Sequence, residues 1–231
     1  MFVMSTRLIS SIVLQAGVMI LAALTVSGCV GADGGASGGT AAIRPTINPD
    51  AAAMYREIND NGTVIPAVDV SKIDPKNIRQ VVKDPTGESP GTVVVDPKGR
   101  FVYLVMEGGK AMRYGAGVGK AGLEFQGTAT IDRKGAWPRW TPTPNMIRRE
   151  PDRYERWAKG MGGGIANPLG ARALYLHKNG EDTLYRIHGT NEPDTIGDAV
   201  SSGCIRLFNQ DIIDLYNRVP KDTRVVVLGS S

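Results

Sequence analysis

A mainly β domain with short helices, of the α+β class, is what this 231-residue sequence predicts, and three observations carry the prediction. The chain holds 29 Gly and 14 Pro, a density of turn formers that suits short strands better than long helices. From Gly91 onward, short runs rich in β-branched and aromatic residues alternate with turn signals. One compact stretch after Cys204 places apolar residues at helical spacing instead.

In chain order, residues 1–28 read as a signal peptide of the lipoprotein type. Arg7 supplies a thin basic start, and the nineteen residues Leu8 to Val26 are apolar apart from small residues and Gln15. Val26-Ser27-Gly28-Cys29 matches a lipobox, in which small residues admit a signal peptidase and the Cys29 thiol accepts a diacylglycerol. The competing reading is an uncleaved membrane helix, since the apolar run is long enough to span a bilayer. Residues 29–89 read as a flexible tether followed by a loosely ordered lead-in. Val30 to Thr40 is Gly, Ala and Ser with one Asp, too apolar-poor to offset its ordering entropy. Ala51 to Ile58 suggests a short helix, and Ile43 to Ser89 as a whole reads as a loosely ordered lead-in able to pack on the domain that follows.

The domain itself is expected over residues 90–231. Thr92 to Asp96, Phe101 to Met106 and Ala111 to Gly115 form a meander, turned by Pro97-Lys98-Gly99 and Gly108-Gly109. Thr128 to Ile131 is a further short strand, followed by the stiff loop Ala136 to Pro144. Thr143 and Pro144 suit the cap and first residue of a short helix to about Arg149, with another turn or two over Asp152 to Lys159. Gly160 to Gly170 lacks the lysine and spacing of a phosphate loop. Ala173 to His177 and Thr183 to Ile187 are strands joined through Asn179-Gly180, a tight hairpin dipeptide. A helix capped by Asn209 then places Ile212, Leu215, Tyr216 and Val219 on one face. Pro220 stops it, and Thr223 to Leu228 closes the domain as a buried strand.

The formal net charge of +4 comes from 27 Lys and Arg against 23 Asp and Glu, without a dense basic run. That favours an anionic envelope polymer as partner and gives no nucleic-acid footprint.

The chemistry concentrates in Ile187 to Arg206, which holds one of two histidines and one of two cysteines, sixteen positions apart. If Cys29 is lipidated, Cys204 is the single thiol of the mature chain and has no intramolecular disulfide partner. Ser202-Gly203-Cys204 offers an approachable backbone, and Arg206 puts a cation nearby, both favouring a thiolate. His188 at a strand end is the candidate general base, while His177 reads as structural. Two histidines and one remaining thiol are too few for an ordinary zinc site, so no metal is expected. Histidine before cysteine is also the reverse of the papain order.

His188-Gly189, a spacer, and then Ser201-Ser202-Gly203-Cys204-Ile205-Arg206 closely resemble the signature of the L,D-transpeptidase catalytic domain, the YkuD or ErfK/YbiS/YcfS/YnhG family. The resemblance spans about Gly91 to Leu228, with one departure: Ser202 stands where the family usually has a second histidine. It implies an L,D-transpeptidase-like β-sandwich acting on peptidoglycan stem peptides without a cofactor. Cys204 attacks the third residue, His188 relays protons, and the Gly189 carbonyl holds the imidazole. Gly203 and Cys204 N–H groups serve the oxyanion, while Ser202, Arg206 and Trp140 are candidate substrate contacts. Trp137 and Trp140 suit core packing and a substrate wall equally. A second stem, an amine-bearing protein or water can resolve the thioester, and carbapenems are expected inhibitors. A non-catalytic peptidoglycan-binding lipoprotein is the rival from another class. Either way the chain is expected in the periplasm, held to the membrane by a lipid anchor only, at the outer membrane of a Gram-negative bacterium.

Overall fold

The computed structural model describes residues 49–119, 125–200 and 204–229. Cys29 and its lipobox, and Ser202 and Gly203 of the signature, lie outside the described residues. Among those described, no helix is long and apolar enough to cross a membrane.

The protein is mostly β sheet. After helix α1 (Pro49–Met54) come the hairpin strands β1 (Ile58–Asp60) and β2 (Thr63–Ile65), then β3 (Gln80–Lys83). The meander follows as β4 (Val93–Asp96), β5 (Phe101–Met106), β6 (Lys110–Gly115) and β7 (Gly117–Gly119). Strand β8 (Gly127–Ala136) leads into a crossover containing α2 (Pro144–Arg149) and α3 (Pro151–Tyr154). Next are β9 (Arg172–Lys178), β10 (Glu181–His188), β11 (Ala199–Val200), β12 (Ile205–Arg206), α4 (Asn209–Arg218) and β13 (Arg224–Val227). Apart from the β1–β2 hairpin, the strands hydrogen-bond in one sheet, ordered β11-β7-β12-β10-β9-β8-β13-β4-β5-β6-β3. Its two ends share one apolar core: Val118 and Ile205 belong to the same buried cluster as Val93, Leu104 and Tyr114, with Ile212 and Leu215 of α4 among them. The mainly β architecture with short helices is as the sequence predicts, with the two ends of the hydrogen-bonded sheet contributing to the same buried cluster.

Three local outcomes have plain physical reasons. Asn179 and Gly180 both adopt positive φ, 53° and 83°, the geometry a two-residue hairpin turn demands. Strand β8 runs to Ala136 rather than stopping at Ile131, because pairing with β9 carries a polar stretch that no apolar alternation advertises. Asn209 does not cap α4. Phe208 occupies the cap position, and the Asn209 side chain is used elsewhere.

The lead-in is more firmly built than expected. Tyr55 is fully buried and meets Phe208 edge-to-face at 5.4 Å, in a cluster that includes Ile196. Strand β3 extends the main sheet by pairing with β6. The Tyr55 hydroxyl donates to Asp211 Oδ2 at 2.9 Å and accepts the Arg79 backbone N–H at 2.8 Å. The Arg79 guanidinium lies 3.7 Å from Asp211 and 3.2 Å from Asp214, and Tyr114 also donates to Asp214. Lead-in and α4 are thus joined by a buried polar network. Residues 49–83 complete the fold rather than trail from it.

Burial raises the Asp211 carboxyl to about 7, against the downward pull of Arg79 and the Tyr55 hydroxyl. A folded-state pKa above the unfolded value of about 4 means the contribution is full in acid and is lost as pH rises through about 7. The melting temperature of the wild type relative to Asp211→Asn is therefore expected to fall between about pH 4 and pH 7. A difference that grows over that interval would show the Arg79 ion pair, not burial, in control.

Candidate functional site

Strand pairing brings the histidine and the cysteine together. β10 and β12 run parallel, with Ile187 opposite Ile205 and His188 opposite Arg206. Both isoleucines are fully buried in the core, so the alternate positions Arg186, His188, Cys204 and Arg206 share the other face. Cys204 leads into β12, its carbonyl accepting the Gly119 N–H of β7, and the Arg186 backbone N–H donates to its thiol. The offset from His188 is two residues across one strand spacing, roughly 8 Å between Cα atoms, a gap an imidazole and a thiol can close.

The imidazole is held in one tautomer. His188 is 3 % exposed, and its Nδ1–H donates to the Gly189 carbonyl at 2.5 Å, which leaves Nε2 as the lone-pair nitrogen. The Gly189 carbonyl is positioned in turn by Asn209. Asn209 Oδ1 accepts the Ala171 N–H at 2.9 Å and Nδ2 donates to the Thr190 carbonyl at 2.8 Å, fastening the loop after His188 to the chain before β9. The packing leaves no room for a side chain: a Cβ on Gly189 would lie 2.2 Å from Asn209 Oδ1, and one on Gly170 2.3 Å from the same atom. Gly170 also has φ +61°, so both geometry and space require glycine there.

Burial opposes the thiolate that neighbouring cations favour. Arg186, and Arg206 less strongly, pull the Cys204 thiol towards ionisation, but burial outweighs both and holds it above the usual thiol range. Burial likewise lowers the His188 imidazole to about 3, reinforced by the same two arginines and opposed by the Gly189 bond. Burial thus disfavours the charged form of both groups. Such a pair works by general-base proton removal as the nucleophile attacks, not by a preformed ion pair.

Arg206 is tied down by Glu192, its Nη1 lying 2.9 Å from Glu192 Oε2. Glu192 Oε1 accepts Arg153 at 2.7 Å, and Asn191 Nδ2 donates to the Ala166 carbonyl at 3.0 Å, so this loop also holds the β8–β9 crossover. Trp140 sits in that crossover, half-buried, edge-to-face with Tyr154 at 6.0 Å and bridged through its backbone to Met161. Its polar and ring contacts are internal to the crossover. His177 lies on β9, 3.9 Å from Asp132. Asn209 and Glu192 were missed from sequence: the first resembled a helix cap, and the second carries no motif.

The Asn209–Gly189 contact predicts a specific non-additivity. Asn209→Ala leaves a buried N–H and a buried carbonyl unpaired and is expected to cost about 2 to 3 kcal/mol in chemical denaturation. Gly189→Ala alone is expected to cost as much through its clash. The double variant, in which the new methyl enters vacated space, should be less destabilised than the sum by about 1 kcal/mol or more. Simple additivity would show that the two do not press on one another.

Residues 90–227 match the family model of the YkuD L,D-transpeptidase catalytic domain. The probable L,D-transpeptidase ErfK/SrfK of Escherichia coli is 39% identical over 140 residues, covering 60% of this chain and 44% of the relative. The probable L,D-transpeptidase YbiS of Escherichia coli is 35% identical over 151 residues, covering 64% and 48% respectively. The chain thus spans about half the length of these curated relatives. A solved structure from Brucella melitensis bearing the name of a probable carnitine operon oxidoreductase is 55% identical, covers 66% of this chain and 94% of its own, and superposes with a TM-score of 0.47. The assignment rests on the domain match, whose span includes His188, Gly189, Cys204 and Arg206: this chain belongs to the L,D-transpeptidase catalytic domain family.

Proposed function

We propose that the protein is a peptidoglycan L,D-transpeptidase working through a Cys204 thioester. The observation that carries this reading is the Nδ1–H bond from His188 to Gly189, which leaves Nε2 as base on the sheet face shared with the thiol. As Cys204 Sγ attacks the carbonyl of the third stem residue, meso-diaminopimelate, Nε2 takes the thiol proton. The tetrahedral oxyanion is stabilised by the Gly203 and Cys204 N–H groups, an interaction worth about 3 to 4 kcal/mol per donor. Collapse breaks the amide, the imidazolium returns its proton to the departing amine, and D-Ala leaves. An amine then attacks the thioester, gives a proton to His188 and regenerates the thiol. The amine of a second stem forms a 3-3 cross-link; a protein amine anchors that protein to the wall.

On this reading Ser202 contacts the substrate without the auxiliary hydrogen bond that a second imidazole would supply, Trp140 contributes to a wall of the substrate cleft, and Arg206 orients the Cys204 loop through Glu192 or binds a substrate carboxylate. A carbapenem is an acylating inhibitor because its strained carbonyl meets the same thiol. Lipidation at Cys29 would place the catalytic face in the periplasm on a tether anchored at the outer membrane, within reach of the wall. A signal peptide of residues 1–28, a tether after it and a catalytic unit from residue 90 complete the layout.

Incubation with purified disaccharide tetrapeptides, with and without an amine acceptor, tests the reading by product mass. Cross-linked dimers and released D-Ala are expected, together with a carbapenem adduct that disappears in Cys204→Ala. Tripeptides alone would make the protein a carboxypeptidase, and unchanged stems with no adduct would make it a binding module.

A further inference from the structure

A row of side chains runs across the sheet from the thiol. Arg186, whose backbone N–H meets Cys204, lies opposite Tyr175 of β9, and Tyr175 lies opposite Arg133 of β8. Paired residues share a face, so Arg133, Tyr175, Arg186 and Cys204 line one surface. The contacts agree: the Arg133 guanidinium sits 3.5 Å from the centre of the Tyr175 ring and that of Arg186 4.5 Å from it.

The two arginines differ in what holds them. Arg186 is bidentate to Asp182, at 2.6 and 2.7 Å, and its charge is already matched. Arg133 is exposed, and its guanidinium, which among the described residues meets no carboxylate, lies on the aromatic ring. A guanidinium stacked on a ring keeps its N–H edge free and has lost much of its rotamer freedom beforehand. It is preorganised for a planar, bidentate anion, and a carboxylate fits that fork. Lying over β9, the guanidinium stands about two strand spacings from Cys204, roughly 10 Å, the length of about three extended residues.

We propose that Arg133, stacked on Tyr175, binds a free carboxylate of the peptide whose carbonyl reacts at Cys204. The inference rests on the transpeptidase reading for its ligand, an anionic stem peptide. Besides the terminal carboxylate of the departing D-Ala, two carboxylates of such a stem lie within this reach: the one on the γ-linked residue before diaminopimelate, and the one at the far end of the diaminopimelate side chain. Arg133 is a specificity determinant here and takes no part in proton transfer.

The test is binding of disaccharide tetrapeptide to Cys204→Ala protein and to the same protein carrying Arg133→Gln. Stems with both carboxylates free are compared with stems amidated at one position or the other. Arg133→Gln is expected to weaken the free-acid stem about five- to tenfold, an effect that shrinks at high salt. It should leave unchanged the stem amidated at the recognised carboxylate, and so reveal which one it is. Arg133→Lys should recover only part of the affinity. Equal weakening of all stems, or none, overturns the proposal. If binding depends on Arg133 while the wild type releases no D-Ala, the transpeptidase reading falls and the carboxylate site stands. If no stem binds, both fall.

Discussion

The hydrogen bond from His188 Nδ1–H to the Gly189 carbonyl is the contact on which the site depends. It decides which ring nitrogen is free, and it exists only because the chain after His188 turns back tightly enough to aim a carbonyl at the preceding residue's ring. Asn209, at the start of α4, holds that turn by fastening Thr190 and Ala171, and the two glycines let the backbones approach. The helix following the cysteine therefore fixes the orientation of the histidine that precedes it. The Tyr55–Asp211–Arg79 network holds the same helix from its other side, so the lead-in supports the site without touching it.

Burial sets the electrostatics. Two arginines beside Cys204 would, in an open setting, push it towards a thiolate, and the sequence suggests that outcome. The desolvation cost of placing charge on a covered sheet face exceeds their attraction.

Much of this was legible in the residues. The meander, the Asn179-Gly180 hairpin and the apolar face of α4 follow from local pattern, because each is set by neighbours in sequence. His188 and Cys204 were identified by scarcity and spacing. What escaped were features created by long-range pairing. The length of β8 comes from its partners, and Asn209 looked like a cap because that is what an asparagine before a helix usually does. The lead-in seemed loose because Tyr55 and Arg79 find their partners more than 130 residues away, in α4. Net cationic character was visible as well, but the difference between a matched Arg186 and an open Arg133 appears only once strands are in register.

His188 is expected to be neutral and protonated at Nδ1, on the sheet face it shares with a neutral Cys204. Nitrogen-15 chemical shifts of the imidazole, followed from about pH 4 to pH 8 in the full chain, read both ring nitrogens directly. A protonated Nδ1 and an unprotonated Nε2 are expected throughout that range, unchanged in Cys204→Ala. An imidazolium at neutral pH that becomes neutral when the thiol is removed would reveal a thiolate–imidazolium pair and contradict this expectation.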